Sequence, residues 1–229
     1  MFVAKPRVAA VVLAAGASTR MGTQKLLLPL DDEPLVRRTV RQVCEAGFDE
    51  VLVVVGHEHD KVLAALDGLP IRHAVNKEYA AGMGSSFRTA IEYLTEVDER
   101  CNQDPERKRR QRAGVGPREK VRNDAAMFAL ADQPFVSADE YRFLLNAYLE
   151  DCAKRPAIVT ARYKNLATGP PHLFARALFP ELAVLEHGAR PVLERHAGQM
   201  LTVKLPNDCL IDIDTPDDYE RVKNFLKKR

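Results

Sequence analysis

The chain has 229 residues, 46% of them hydrophobic and 29% charged, with a formal net charge of +2, the balance of a soluble globular protein. So small a charge excludes a global field that would attract nucleic acid or an anionic membrane, and no run approaches the ~20 apolar residues of a membrane span. The four cysteines (Cys44, Cys101, Cys152, Cys209) lie at least 51 residues apart and form no CxxC pair, which excludes a spacing-encoded zinc or redox motif and predicts a reduced, cytoplasmic protein.

The first element is the apolar run at 8–12. It follows Lys5-Pro6-Arg7 and flows into a glycine loop, so a buried strand is expected rather than a signal peptide. The loop itself reads LAAGASTRMGTQK (13–25). Five residues separate Gly16 from Gly22 and Lys25 does not follow the second glycine directly, so this is neither a P-loop nor a dinucleotide-binding G-x-G-x-x-G. Backbone amides with Arg20 and Lys25 beside them suit a triphosphate, whose leaving pyrophosphate gathers negative charge. The plain alternative is a strand-to-helix turn with incidental basic residues.

Apolar residues at helical spacing predict a helix over 34–46, capped by Gly47. The unbroken apolar run at 51–56 predicts a strand buried on both faces. His57-Glu58-His59 follows that strand and is expected to be a loop, since two histidines without a third ligand rarely make a metal site. Segment 98–124 carries nine Lys/Arg against six Asp/Glu and almost nothing apolar. It predicts a solvated, mobile insertion, and it lacks the aromatic residues that stack on nucleic-acid bases.

The run at 125–131 is a further buried strand, and it ends at Asp132-Gln133-Pro134. Ser137 with Glu140 makes a capping-box pattern ahead of a helix over 141–149. Strands are expected at 157–162 and 200–205. The last helix is expected to start at Thr215-Pro216 and to finish on Lys227-Lys228-Arg229. Such alternation predicts an α/β fold, a mostly parallel sheet with helices on both faces. Ligands bind such sheets beyond the carboxyl ends of the strands, where the glycine loop and Asp132 both lie. Strand alternation places Asp212 and Asp214 on one face. Two carboxylates from different strand ends suffice to hold one Mg²⁺, which keeps its other places for phosphate and water.

Taken together, the glycine loop, LLPL (27–30), EPL (33–35), VVVGHE (53–58), NKEYAAGMGSSF (76–87), ALADQPFV (129–136), TGPPHLF (168–174), HGARPVLERH (187–196) and DIDTPDDY (212–219) resemble the MobA-like nucleotidyltransferases, and within them the molybdenum cofactor cytidylyltransferases. The resemblance implies a Rossmann-like three-layer α/β/α sandwich of the nucleotide-diphospho-sugar transferase type. It implies one domain over 1–229, interrupted by the basic insertion. The implied reaction is Mg²⁺-dependent attack of an acceptor phosphate on the α-phosphate of a nucleoside triphosphate, with pyrophosphate leaving and no protein nucleophile.

By that resemblance Arg20 and Lys25 hold the triphosphate. Leu13, Ala14, Ala15, Gly16 and Gly22 shape its loop, and Asp132 and Asp214 bind the metal. Gly82 and Ser86 belong to the base- and ribose-recognising stretch, with Gly84 allowing close backbone approach; the plain role of Ser85-Ser86 is a helix N-cap. LAAG rather than LAGG points to CTP. His172, Arg190 and Asp212 are candidates on the acceptor side, which implies molybdopterin as acceptor and a molybdoenzyme apoprotein or its maturation chaperone as partner. Two family patterns are absent there: Gly169-Pro170-Pro171 stands for Gly-His-Pro, and Leu185-Glu186 for Gly-Asp. The alternatives are another NTP, a sugar or polyol phosphate acceptor, or a non-catalytic cofactor chaperone.

Overall fold

The computed structural model describes residues 5–103, 122–150, 155–164 and 168–227. Strands β1 (Val8–Ala14), β4 (Glu50–Val55), β5 (Arg72–Val75), β6 (Ala125–Leu130), β7 (Ile158–Arg162), β8 (Thr168–Ala175) and β9 (Met200–Lys204) form a seven-stranded sheet in the order β5-β4-β1-β6-β8-β7-β9. β2 (Pro29–Leu30) and β3 (Glu33–Pro34) make a separate small hairpin. The pairs β1–β4, β1–β6, β4–β5 and β7–β9 are parallel, and only β8 runs against its neighbours β6 and β7.

Every residue of β1 is buried, and alternate side chains serve opposite layers. Val8, Ala10, Val12 and Ala14 pack into one core and Ala9, Val11 and Leu13 into the other. Helix α1 (Leu35–Glu45) lays Val36, Val40 and Val43 on the first layer, where α2 (His59–Ala65), α4 (Ala138–Leu149) and α7 (Pro216–Leu226) also pack. On the second layer α3 (Met83–Gln103) presents Phe87, Ile91 and Leu94, beside α5 (Phe179–Ala183) and α6 (Arg190–Arg195). The Phe87 and Phe128 rings stack there with centroids 4.7 Å apart, joining helix to sheet.

From β1 the chain moves outward to β4 and β5, and after α3 it re-enters the sheet as β6 on the other side of β1. Strand order therefore reverses at the β1/β6 boundary. In an open α/β sheet that reversal opens a crevice at the strands' carboxyl ends.

Helix α3 continues to Gln103, so 98–103 belongs to it rather than to an insertion. At the other end Asn123 is buried and donates to Glu50 Oε2 at 3.1 Å, and Asp124 pairs with the Arg7 backbone. The remainder of the basic segment lies outside the described residues. Strand β8 was not anticipated: Gly169, Pro170 and Pro171 within TGPPHLFA are residues that usually interrupt strands. Asp212 and Asp214 sit in an extended link between elements and not in a sheet strand. Helix α7 ends at Leu226 with Lys227 as its cap, and the terminal Lys228-Arg229 lies outside the described residues. Among the described residues no helix is long and apolar enough to cross a membrane.

Candidate active site

The glycine loop leaves β1 and folds back over its carboxyl end. Ser18 and Gly22 adopt left-handed backbone at φ 53° and 68°, so the loop can turn twice within five residues. One buried side chain pins it. Gln24 Oε1 accepts from the Ser18 hydroxyl at 2.8 Å, while its Nε2 donates to the carbonyls of Gly16 and His57, each at 3.2 Å. The Lys25 N–H then closes onto Ser18 Oγ at 3.1 Å. Gly16 faces open space, with nothing within 4 Å of where a Cβ would stand. Its missing side chain keeps the pocket clear.

Under the loop lies a cleft of about 290 Å³. Leu13, Ala14, Ala15, Gly16, Arg20, Lys25, Gly82, Ser86, Asp132 and Asp214 all line it, bringing together ten of the sequence-selected residues from both ends of the chain. Gly22 lies outside, beside a neighbouring depression shared with Gln24 and Glu58; its part is the turn.

The charged end of the cleft is a compact network. Lys25 Nζ bridges Asp132 Oδ2 and Asp214 Oδ1, each at 2.7 Å, and Arg20 Nη2 meets Asp214 Oδ2 at 2.8 Å. Burial opposes the Lys25 charge, but the Asp132 charge and hydrogen bond, with those of Asp214, outweigh it and hold the pKa above its ordinary value. For Asp214 the same contest runs the other way: burial works against the carboxylate, and Lys25 and Arg20 win, lowering its pKa. Asp132 Oδ1 is buried and has no hydrogen-bond partner among the described residues. A buried anionic oxygen left unpaired is costly, and a cation beside it would remove that cost. Among the described residues no cluster of three or more metal-ligating side chains forms. The donor set is thus two carboxylates, which suits a hard cation that keeps its remaining places for phosphate and water.

These carboxylates are held from behind. Ile213 N–H donates to the Asp132 carbonyl at 3.2 Å, tying the link before α7 to the end of β6. Thr215 and Asp218 form a capping box, and the Asp218 carboxylate also accepts from the Asp214 N–H at 3.3 Å. Hydrogen bonding by Thr215 lowers the Asp218 pKa to about 2. Ile213 is fully buried, and the residues on either side of it diverge. Asp214 enters the cleft, whereas Asp212 borders a separate depression against Phe135 and Phe225. The two aspartates flank the buried Ile213 and line neighbouring depressions. Burial, then the charges of Asp214 and Asp132, raise the Asp212 pKa.

At the opposite end stand Tyr79, Gly82, Met83 and Ser86. Neither Ser85 nor Ser86 caps α3; the helix starts at Met83, and Ser85 Oγ donates back to the Gly82 carbonyl at 2.7 Å. Gly82 takes the left-handed φ of 104°. The need for Gly84 comes from the protein and not from a ligand: a Cβ there would lie 2.0 Å from the Leu185 carbonyl oxygen.

Leu13, Met83 and Leu130 are shared with a second groove of about 650 Å³, walled by Phe87, Phe128 and Pro170. His172 and Arg190 both border it. His172 is buried on β8 with Nδ1 2.7 Å from Thr160 Oγ1, and burial pushes its pKa down to about 4. Arg190 opens α6 with its side chain exposed and paired to Glu194 Oε1 at 2.7 Å. Residue-by-residue reading missed Gln24, Asn76 and Tyr79. All three lie inside the quoted motifs, but their parts rest on contacts with distant residues that no local pattern carries.

The sequence model of the MobA-like NTP transferase domain matches residues 10–200. Purine catabolism protein PucB of Bacillus subtilis (strain 168) is 30% identical over 96% of this chain and 98% of its own. The crystal structure of Rv0371c from Mycobacterium tuberculosis H37Rv superposes with a TM-score of 0.69 at 28% identity, covering 95% of this chain and 98% of its own. The Rv0371c complex with manganese gives 0.67 at 25% identity over the same shares. The fold is that of the nucleotide-diphospho-sugar transferases.

Proposed function

The chain belongs to the MobA-like NTP transferase family and is a nucleotidyltransferase; from that premise we propose that it transfers CMP from CTP to a phosphate of molybdopterin cofactor, releasing pyrophosphate with the help of Mg²⁺. The observation that carries this reading is the buried Asp132 Oδ1, without a partner among the described residues, beside Asp214 and Lys25 in a cleft that shares lining residues with a second groove. An NTP and an acceptor fit such a pair of adjoining spaces, which share Leu13, Met83 and Leu130 as a common wall.

In this reading Asp132 and Asp214 would hold a divalent ion, and the manganese complex of Rv0371c supports a site of that kind. The ion would supply charge neutralisation on the phosphates. Lys25 and Arg20, paired with these carboxylates in the structure, are the cations that would hold the triphosphate. There they offset the charge that grows on pyrophosphate as the bond to the α-phosphorus breaks. The acceptor phosphate oxygen forms the new bond to that phosphorus, so no protein nucleophile is needed. Leu13, Ala14, Ala15 and Gly16 hold the nucleotide along the end of β1, while Gly82 and Ser86 meet its sugar or base. His172 and Arg190 take the acceptor side, and the apolar walls Phe87, Phe128 and Pro170 suit a flat heterocycle. Asp212, turned to its own depression, is left out of acceptor binding. The client would be a molybdoenzyme apoprotein or its chaperone.

The test is pyrophosphate release from CTP and Mg²⁺ with molybdopterin cofactor, set beside GTP and beside sugar and polyol phosphates as acceptors. Turnover confined to CTP and the pterin, abolished in Asp132→Asn, is expected. Release with another pair would move the substrate assignment. Unchanged turnover in Asp132→Asn would remove that residue from the metal site.

A further inference from the structure

We infer that Asn76 is a positioning residue: it fixes the Ser86 hydroxyl as a hydrogen-bond donor into the nucleotide cleft, so the nucleotide atom that Ser86 meets is an acceptor. This deepens the proposed nucleotide binding and rests on it. Asn76 directly follows edge strand β5 and is 2% exposed. Its backbone N–H donates to the Val55 carbonyl at 2.7 Å, which fixes it to the end of β4.

The polarity of the network comes from one unambiguous bond. The backbone N–H of Glu78 donates to Asn76 Oδ1 at 2.9 Å. A backbone N–H only donates, so the oxygen must face that way and the amide orientation is determined. The Asn76 NH₂ group then points at both serines, 2.8 Å from Ser85 Oγ and 3.1 Å from Ser86 Oγ. An NH₂ group has two hydrogens and accepts none, so both hydroxyls act as acceptors toward it.

The two serines differ in where their own hydrogens go. Ser85 donates to the Gly82 carbonyl at 2.7 Å. Ser86 has no acceptor for its hydrogen among the described residues, is 6% exposed, and lines the cleft. A hydroxyl so deeply buried needs an acceptor, and the cleft is where one can arrive. Pyrimidines present the O2 acceptor alone on the edge nearest the sugar, where guanine sets its amino donor beside the N3 acceptor. A fixed donor at Ser86 therefore matches a pyrimidine O2 outright, while a guanine nucleotide offers N3 only next to a competing donor. The residue that reads the ligand is Ser86, and the residue that decides how it reads is Asn76.

Asn76→Asp gives the sharpest test, because it keeps the size and the acceptor for the Glu78 N–H while replacing the NH₂ by a carboxylate oxygen. The Ser86 hydrogen then turns back toward that oxygen. Calorimetric titration with CTP and with GTP in Mg²⁺ would be run on the native chain, Ser86→Ala, Asn76→Asp and the double variant. We expect Ser86→Ala to weaken CTP binding roughly fivefold to tenfold, the worth of one neutral hydrogen bond. Asn76→Asp should weaken it at least as much and shrink the preference for CTP over GTP, yet add less than about twofold once Ser86 is alanine. An equal penalty in the Ser86→Ala background would mean that Asn76 acts only through the fold, and would overturn the inference. So would native CTP affinity in Ser86→Ala, a variant that loses only one hydroxyl and serves should Asn76→Asp not fold. Failure of the native chain to bind any triphosphate would instead overturn the nucleotide reading, and this inference with it.

Discussion

Lys25 stands where two demands meet. Its ammonium lies 2.7 Å from each of two carboxylates, the place a divalent cation would contest. Lys25→Met should therefore move two affinities in opposite directions: Mn²⁺ in the absence of nucleotide should bind at least roughly tenfold more tightly, because a competing positive charge is gone, while CTP should bind more weakly. Titration of Mn²⁺ by electron paramagnetic resonance reads the first and calorimetry the second. Weaker Mn²⁺ binding in the variant would contradict the shared position. His172 gives a pH prediction of definite sign. Burial depresses its pKa to about 4 from an ordinary 6.5, so the unfolded chain takes up a proton that the folded chain refuses. The stability this provides is complete above pH 6.5 and is lost as pH falls toward 4, by about 3 kcal/mol across that window. Denaturant titrations should show this slope in the native chain and a shallower one in His172→Asn. Parallel curves would show that the ring is as easily protonated in the folded state. The charged members of the site were legible as residues. Gln24 and Asn76 were not, because a buried amide acts through hydrogen bonds to distant backbone, and neither spacing nor charge encodes those.

Two elements place the site by their ends. The capping box of α7 positions Asp214 as well as starting a helix, through the bonds that Asp218 accepts from the Asp214 and Thr215 N–H groups. Thr215→Ala should cost about 1 kcal/mol of stability and should also weaken metal-dependent CTP binding. A loss of stability with unaltered binding would separate the cap from the site. Helix α3 starts against the 185–186 backbone, which a Cβ on Gly84 would strike. The elements themselves were largely predictable: the runs at 8–12, 51–56 and 125–131 are uniformly apolar because both faces of those strands are buried. The Ser137–Glu140 box and the Thr215-Pro216 start announce their helices through local chemistry. Strand β8 escaped because its Gly and Pro residues signal interruption; its place is set by pairing with β6 and β7, which no local pattern carries. The divergence of Asp212 from Asp214 had the same origin, since alternation applied to a link outside the sheet does not say which cavity each side chain enters.

At the level of the whole molecule, the order β5-β4-β1-β6 opens a crevice beside β1, and chain segments more than a hundred residues apart deliver their polar ends to it. The contacts that join Lys25 to Asp132 and Asp214 span 107 and 189 residues, so the network exists only when the sheet is assembled. This crevice is expected to take a nucleoside triphosphate together with a divalent ion. Thermal unfolding with Mg²⁺ and saturating CTP, GTP, ATP or UTP tests it most directly, because a ligand at 1,000 times its dissociation constant stabilises the folded state by about 4 kcal/mol. The midpoint should rise with CTP, require Mg²⁺ to do so, and stay unmoved in Asp132→Asn. No rise with any of the four, or the same rise in Asp132→Asn, would contradict it.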